Sequence, residues 1–235
     1  MERRFILVLA AAMSLIPSLL LLEHDGFRNQ LALGLVTTGL LIVAARSSRI
    51  AGSQILCCVI VATIGEVVLS VGWGLYHYKH ALIPLYVPPG HGLFYALAAT
   101  TARQEWFRRH QRAVIGGALV FGCLTAVSGV LFLNDTWGFI WWLGALALIL
   151  CSTNRLMLSV CFFYTILLEW LGTALGNWHW AATVPGLGFH SANPPAGVGI
   201  LYILLDLIVV GISGAVFKGS MERGVARIEQ AGAVT

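Results

Sequence analysis

Two stretches of the chain, GLYHYKHALIPLYVPPGHG at residues 74–92 and GNWHWAATVPGLGFHSANPPAGVG at residues 176–199, carry the same pattern. Each opens with glycine, one spacer and an aromatic-His-aromatic triplet, and each continues to a Pro-Pro pair and a glycine-rich step. A lone glutamate, Glu66 or Glu169, precedes each stretch inside an apolar run. Because the same residue types recur in the same order, the sequence predicts an internal repeat.

The composition excludes a soluble domain. Of the 235 residues, 58% are hydrophobic and only 10% are charged, whereas soluble domains average about 25% charged residues. The net charge of +4 lies in short loops, so no nucleic-acid partner is expected. All five cysteines sit in apolar runs without a CxxC pair, where free cysteine acts as a small hydrophobe. The sequence therefore predicts an integral membrane protein.

Apolar runs of the length that crosses a bilayer occur eight times. A membrane-spanning helix needs about 20 apolar residues, with a range of about 17–25. The first run is too long for a signal peptide and has no small-residue cleavage pattern, so we expect it to be retained. The predicted spans are residues 4–22, 30–45, 52–75, 87–102, 113–133, 136–152, 156–177 and 196–217.

The distribution of basic residues predicts the orientation. With the N-terminus in the cytoplasm, twelve of the 14 Lys and Arg residues fall on the cytoplasmic side, and only Arg28 and Lys79 fall outside. Both termini are then cytoplasmic, in a multi-pass protein of the cell (inner) membrane. The fold class is an all-α bundle built from two parallel four-span repeats, residues 1–105 and 106–220, followed by a cytoplasmic tail, residues 221–235. Repeat interfaces of this kind often hold the substrate site.

Three carboxylates lie within the predicted spans. Glu66 and Glu169 lie eleven and ten residues before His77 and His179, which places them about 15–16 Å below the outer surface. Asp206 is eleven residues into the returning last span, at a similar depth. Since the last two spans are neighbours in sequence, Glu169 and Asp206 are predicted to face each other and share a proton. Intramembrane acids usually face a cavity or a partner.

Histidine and aromatic side chains are predicted to complete one cavity that opens outward. Eleven residues make about three helical turns, so Glu66 and His77 share a helix face. Trp and Tyr at these positions also serve as plain interfacial anchors, and interfacial histidines are often only structural, so both alternatives stay open. The candidate catalytic residues are Glu66, Glu169, Asp206, His77, His179 and His91. The candidate substrate-binding residues are Trp73, Tyr76, Tyr78, Tyr95, Trp178, Trp180 and Tyr202.

Several other chemistries find little support in the sequence. No HxxxH, HxxHH or ExxH motif typical of a metal site occurs, so no metal or other cofactor is expected. A GxSxG nucleophile motif and a phosphate-binding glycine loop are also missing. What remains is an acid in an aromatic-lined, lipid-accessible cavity. Because aromatic faces stabilise cations, this combination suits hydration, cyclisation or isomerisation of a polyisoprenoid through a carbocation.

The first copy of the motif also resembles a known family. Glu66, Gly72, Gly74-Leu75-Tyr76-His77-Tyr78, Pro84 and Pro88 resemble the pattern of integral-membrane carotenoid-biosynthesis proteins of bacteria and archaea, including carotenoid hydratases. The resemblance spans residues 66–88 and does not extend to the second copy, where Trp178 and Trp180 replace tyrosines. It implies a lyase, hydratase or isomerase acting on an isoprenoid.

The sequence leaves three functions open. The first is a membrane enzyme that acts on a lipid or isoprenoid by acid–base chemistry. The second is a proton-coupled transporter or lipid-binding protein that uses the same acids. The third is a non-catalytic subunit whose polar residues pair with a partner's helices. The sequence indicates a membrane lipid or isoprenoid as partner and leaves the oligomeric state open.

Overall fold

The computed structural model describes residues 2–48 and 50–213, which form nine helices and one two-stranded β-ribbon. A π-helical turn, Val67–Gly72, follows the third helix of the chain. The strands are β1, Tyr76–Tyr78, and β2, Trp178–Trp180. The helices are α1 Glu2–Leu21, α2 Phe27–Ser48, α3 Gly52–Glu66, α4 Val87–Arg103, α5 Glu105–Arg109, α6 Gln111–Leu133, α7 Thr136–Cys151, α8 Arg155–Ala174 and α9 Gly199–Ser213.

Four of these helices are long and apolar enough to cross a membrane: Phe27–Ser48, Gly52–Gly72, Gln111–Leu133 and Arg155–Ala174. Three shorter apolar helices accompany them: Ile6–Leu21, Thr136–Cys151 and Gly199–Ser213. At most half of the residues in each long apolar stretch are buried within the protein, so their outer faces are apolar. Large exposed apolar surfaces of this kind are typical of contact with a membrane or another protein. The predictions of an all-α fold and of apolar helices long enough to cross a membrane are confirmed.

Each predicted span contains a helix, although several boundaries differ. The second predicted span, residues 30–45, lengthens to the 22 residues of α2. The third and seventh, predicted to reach residues 75 and 177, end earlier, at Gly72 and Ala174. The short helix α5 was not predicted. Residues 214–217 of the eighth predicted span and the predicted tail, residues 221–235, lie outside the described residues.

Two glycines explain why α3 and α8 stop where they do. Gly74 and Gly176 have φ of +73° and +74°, a backbone conformation that residues with a β-carbon rarely adopt. At the end of α8 the Asn177 amide donates to the Gly172 carbonyl, 2.9 Å away, in the usual glycine-terminated helix cap. At the end of α3 the Leu75 amide donates to the Leu69 carbonyl, also 2.9 Å away, across a wider π-helical turn. After each of these two caps, the chain leaves the helix axis and enters the ribbon.

The ribbon joins the two copies of the repeated motif. Strands β1 and β2 pair antiparallel in a register that sets His77 opposite His179. Tyr76 pairs with Trp180, and Tyr78 pairs with Trp178. Since side chains alternate along a strand, the four aromatic residues share the buried face and both histidines lie on the exposed face.

Two glycines allow close helix packing at corresponding positions of the predicted repeat. A β-carbon added to Gly92 of α4 would lie 2.8 Å from a methyl group of Val59 on α3. One added to Gly199 of α9 would lie 2.4 Å from the ring of Phe162 on α8. Only glycine permits these approaches, because real β-carbons do not come this close to other atoms. Helix α4 thus packs on α3 as α9 packs on α8.

Candidate functional site

Beneath the buried face of the ribbon lies a cavity of about 260 Å³, called the ribbon cavity below. Helices α1, α2, α3, α4, α8 and α9 contribute side chains to its wall. Most of the wall is aliphatic, and the polar groups are concentrated near the ribbon. They belong to Glu66, Tyr76, Tyr78, His91, Glu169, Trp178, Trp180 and Tyr202. Thr37 and Tyr86 also line the cavity.

Glu66, at the last α-helical position of α3, is held by three donors. The phenol groups of Tyr76 and Tyr78 each donate to its Oε2 at 2.7 Å. Nε2 of His91 lies 2.9 Å from its Oε1. The chain turns back over the helix end, so residues ten and twelve positions later reach this carboxylate. Three converging donors suit a carboxylate that accepts hydrogen bonds and does not give up a proton.

Glu169, on α8, is the counterpart of Glu66 and has fewer donors. The indole groups of Trp178 and Trp180 both donate to Oε2, at 2.8 and 3.0 Å. Within the described residues, Oε1 takes part in no hydrogen bond, although Glu169 lines the ribbon cavity. One oxygen of this carboxyl group therefore stays free to carry a proton.

The four aromatic rings form a continuous cover over the two glutamates. The rings of Tyr76 and Trp180 lie 4.6 Å apart between centroids, and those of Tyr78 and Trp178 lie 6.2 Å apart. Their O–H and N–H groups point to the carboxylates, which leaves ring surface facing the cavity. Burial and the nearby Glu66 carboxylate raise the pKa values of both tyrosines well above their usual range, so both phenols keep their protons.

His91 connects Glu66 to the second half of the protein. Its ring stacks on Tyr202 of α9, with centroids 4.9 Å apart and planes inclined by 27°. When Nε2 donates to Glu66, the neutral ring presents Nδ1 as an acceptor. Nδ1 is itself buried and has no hydrogen-bond partner among the described residues. A carboxylate that fixes the tautomer of a histidine is a recurring arrangement for a proton acceptor.

Asp206 does not have the position that the sequence predicted. It is buried on α9 beside the thiol of Cys161, and it is not among the described residues that line the ribbon cavity. Its Oδ2 has no hydrogen-bond partner within the described ranges. The predicted Glu169–Asp206 pair is not formed, because the carboxyl group of Glu169 turns to the two tryptophans instead. Equal depth along two helices does not bring their side chains to the same face.

The two ribbon histidines also differ from the prediction. His77 and His179 point away from the cavity, and Nδ1 of His179 lies 2.9 Å from the side-chain amide of Asn193. Trp73 is partly exposed, and its indole donates to the Pro185 carbonyl at 2.9 Å. Tyr95 is buried against another part of the core. Of the predicted site residues, the cavity thus brings together Glu66, His91, Glu169, Tyr76, Tyr78, Trp178, Trp180 and Tyr202.

Two further buried acids were missed by the sequence analysis. Glu23, after α1, accepts hydrogen bonds from the phenol of Tyr86, at 2.8 Å, and from the side-chain amide of Asn177. Asp135, before α7, accepts from the amides of Ala192 and Ala196, at 3.0 and 2.7 Å. The only sequence signal was Asn177, a polar residue in the second motif where the first has leucine. Both acids fasten loops around the ribbon.

No group of three or more His, Cys, Asp or Glu side chains within residues 2–48 and 50–213 has an arrangement that could hold a metal ion. No family model, curated protein or solved structure matches the chain. Fold and site together define the class: an all-α membrane protein whose apolar cavity holds two glutamates beneath an aromatic ribbon.

Proposed function

We propose that this protein is an enzyme of the cell membrane that acts on a lipid or isoprenoid by acid–base chemistry in the ribbon cavity. The observation that carries the proposal is the free Oε1 of Glu169 in a largely aliphatic cavity beneath four aromatic rings. An apolar pocket with a few convergent polar groups is the usual form of a small-molecule site.

The proposed architecture is eight spans in two parallel four-span repeats. The antiparallel pairing of His77 with His179 has a local two-fold axis, as parallel repeats related about the membrane normal require. The matching contacts of Gly92 with Val59 and of Gly199 with Phe162 support the same relation. In this arrangement the ribbon lies at the outer end of the bundle, and the basic loops lie in the cytoplasm.

The proposed chemistry begins with proton transfer from Glu169. Oε1 gives its proton to one carbon of a carbon–carbon double bond, and the π electrons form the new C–H bond. The neighbouring carbon becomes a cation, and the faces of Tyr76 and Trp180 stabilise it. Indole donors on Oε2 stabilise the carboxylate that remains.

His91 completes the proposed reaction. In an isomerisation, Nδ1 removes a proton from the carbon next to the cation, and that C–H electron pair forms the shifted double bond. In a hydration, water adds to the cation and releases its extra proton to Nδ1. Return of this proton to Glu169 restores both groups, so neither route needs an oxidant or reductant. Glu66 holds the imidazole in the required tautomer.

The test is expression of the full chain in a host that makes carotenoids, followed by extraction and mass spectrometry of its isoprenoids. We expect an altered isoprenoid with the native chain. Glu169→Gln should lower its yield by about 10²–10⁴-fold without loss of folded protein. Glu23→Gln is the matched control, since Glu23 is a buried glutamate outside the proposed chemistry. Equal yields from the native chain and Glu169→Gln would remove Glu169 from the mechanism.

A proton-coupled transporter or lipid-binding protein is the second candidate, and Asp206 favours it. This carboxyl group is buried away from the ribbon cavity, and its Oδ2 is unpartnered within the described chain. Acids of this kind often relay protons in membrane transport. Proton flux into liposomes that depends on the protein and is lost in Asp206→Asn would support transport over catalysis.

A further inference from the structure

We propose that a lipid enters the ribbon cavity sideways from the bilayer, between α3 and α9, and keeps its apolar chain in this gap. The ligand is a single membrane-dissolved molecule with a long apolar chain, whose reacting end reaches Glu169 and His91. The inference rests on the lipid ligand of the proposed function, and it does not depend on the chemistry that follows binding.

The ribbon side of the cavity is closed. The aromatic side chains of both strands fill that end, and their polar atoms are bound to Glu66 and Glu169. Above them, the loop after β2 is fastened at two points. The Trp73 indole holds the Pro185 carbonyl at 2.9 Å, and Asp135 holds the Ala192 amide at 3.0 Å. The outward opening that the sequence predicted is therefore covered.

The lateral side of the cavity reaches the surface at α9. Leu204 and Ile208 line the cavity while being 40% and 47% exposed. All the other lining residues, which lie within the described ranges, are less exposed than these two. Side chains that touch both the cavity and the surface mark an opening. Its rim on α9 is aliphatic.

The part of the cavity wall that α3 forms leaves room for the apolar chain of a lipid. Gly65 lines the cavity one residue before Glu66, and a β-carbon added there would meet no atom within 4 Å. Exposed aliphatic residues, Ile64 and Val68, flank it along the helix, so this face lies against lipid acyl chains. A molecule that passes between Gly65 and Ile208 would move from the bilayer to the glutamates without crossing water.

The experiment is photo-crosslinking of the full chain in lipid nanodiscs with hexadecanol that carries a diazirine at mid-chain. Labelled peptides are identified by mass spectrometry. We expect labelling of cavity residues such as Leu168 and Leu201 in the native protein. Gly65→Phe should reduce it by at least about tenfold, as the loss of fit in an apolar pocket commonly does. Gly116→Phe, on α6, is the control, since a β-carbon there also meets no atom within 4 Å.

A second variant keeps the test decisive if Gly65→Phe does not fold, as judged by size-exclusion chromatography and thermal unfolding. Ile208→Trp narrows the gap from α9 and should give the same loss. Leu204→Ala widens it and should maintain or raise labelling. Unchanged cavity labelling in a folded Gly65→Phe or Ile208→Trp protein would overturn the lateral route. A short water-soluble diazirine carboxylate gives a second check. If it labels the cavity residues to the same extent in the native protein and in the variants with a narrowed gap, the lateral route is overturned in favour of entry from the ribbon side.

The two proposals fail in different ways. In one outcome, the native cavity is labelled, the variants that narrow the gap block this labelling, and Glu169→Gln leaves isoprenoid conversion unchanged. The lateral route is then supported and the acid–base mechanism is contradicted. If conversion depends on Glu169 while narrowing changes neither labelling nor conversion, the mechanism stands and the route falls.

Discussion

Glu66 and Glu169 each precede one copy of the aromatic-His-aromatic motif, yet their surroundings differ. Glu66 receives two phenol hydrogens and contacts the imidazole of His91. Glu169 receives two indole hydrogens, both on the same oxygen. In the predicted repeat, His91 corresponds to Gly197 or Val198, and the offset of 107 residues between Tyr95 and Tyr202 selects Val198. The comparison shows how one scaffold builds two unequal acids: one positions a histidine, and the other keeps a free oxygen.

The largest expected effect concerns the histidine that only one half possesses. If Nδ1 of His91 accepts a proton in the reaction, His91→Ala should lower turnover by about 10²–10⁴-fold. Val198→Ala, the matched change in the other half, removes no polar group and should retain turnover within about threefold. The measurement is isoprenoid conversion per folded protein in the carotenoid-making host. Similar losses in both variants would indicate that His91 acts only through packing.

The second prediction compares the two glutamates in folding. Glu66→Ala leaves three buried donors without an acceptor, and Glu169→Ala leaves two. Each orphaned donor costs about 1–3 kcal/mol. We therefore expect Glu66→Ala to lower the free energy of unfolding by at least about 3 kcal/mol, and by about 1 kcal/mol more than Glu169→Ala. Reversible denaturation in mixed micelles measures both, and a larger loss for Glu169→Ala would contradict the donor arrangement.

The smallest effect is expected where the halves are alike. His77 and His179 face away from the cavity, so each change to alanine should alter the free energy of unfolding by less than about 0.5 kcal/mol. Turnover should remain close to that of the native chain. His179 also contacts Asn193, so His77→Ala is the cleaner of the two. A large loss of turnover in either variant would place a catalytic role on the exposed face of the ribbon.

The sequence predicted the helices and the two glutamates because apolar runs and isolated acids are local signals. The ribbon could not be predicted in the same way. A strand of three residues has no periodicity of its own, and Tyr76 finds its partner in Trp180, more than 100 residues later. Without that pairing, the sequence predicts a single helix end for His77 and Tyr76, and it gives no sign of the alternation that separates their side chains.

The direction of a side chain could not be predicted by counting residues. Counting predicts a similar depth for Glu169 and Asp206, but it cannot give the rotation of one helix against the other. Tyr95 and Tyr202 illustrate the same limit. They match in the predicted repeat, yet Tyr202 stacks on His91 in the cavity and Tyr95 packs elsewhere. Tertiary packing decides these positions, and packing is not a local property of the sequence.

The most direct test of the central claim is mass spectrometry of the compounds that purify with the protein from a carotenoid-making host. The account predicts that Glu169→Gln protein carries an unreacted isoprenoid or lipid, since the cavity still binds it but the proton donor is gone. Native protein should carry the converted compound or none. Identical extracts from the two proteins, or no bound lipid in either, would contradict the account.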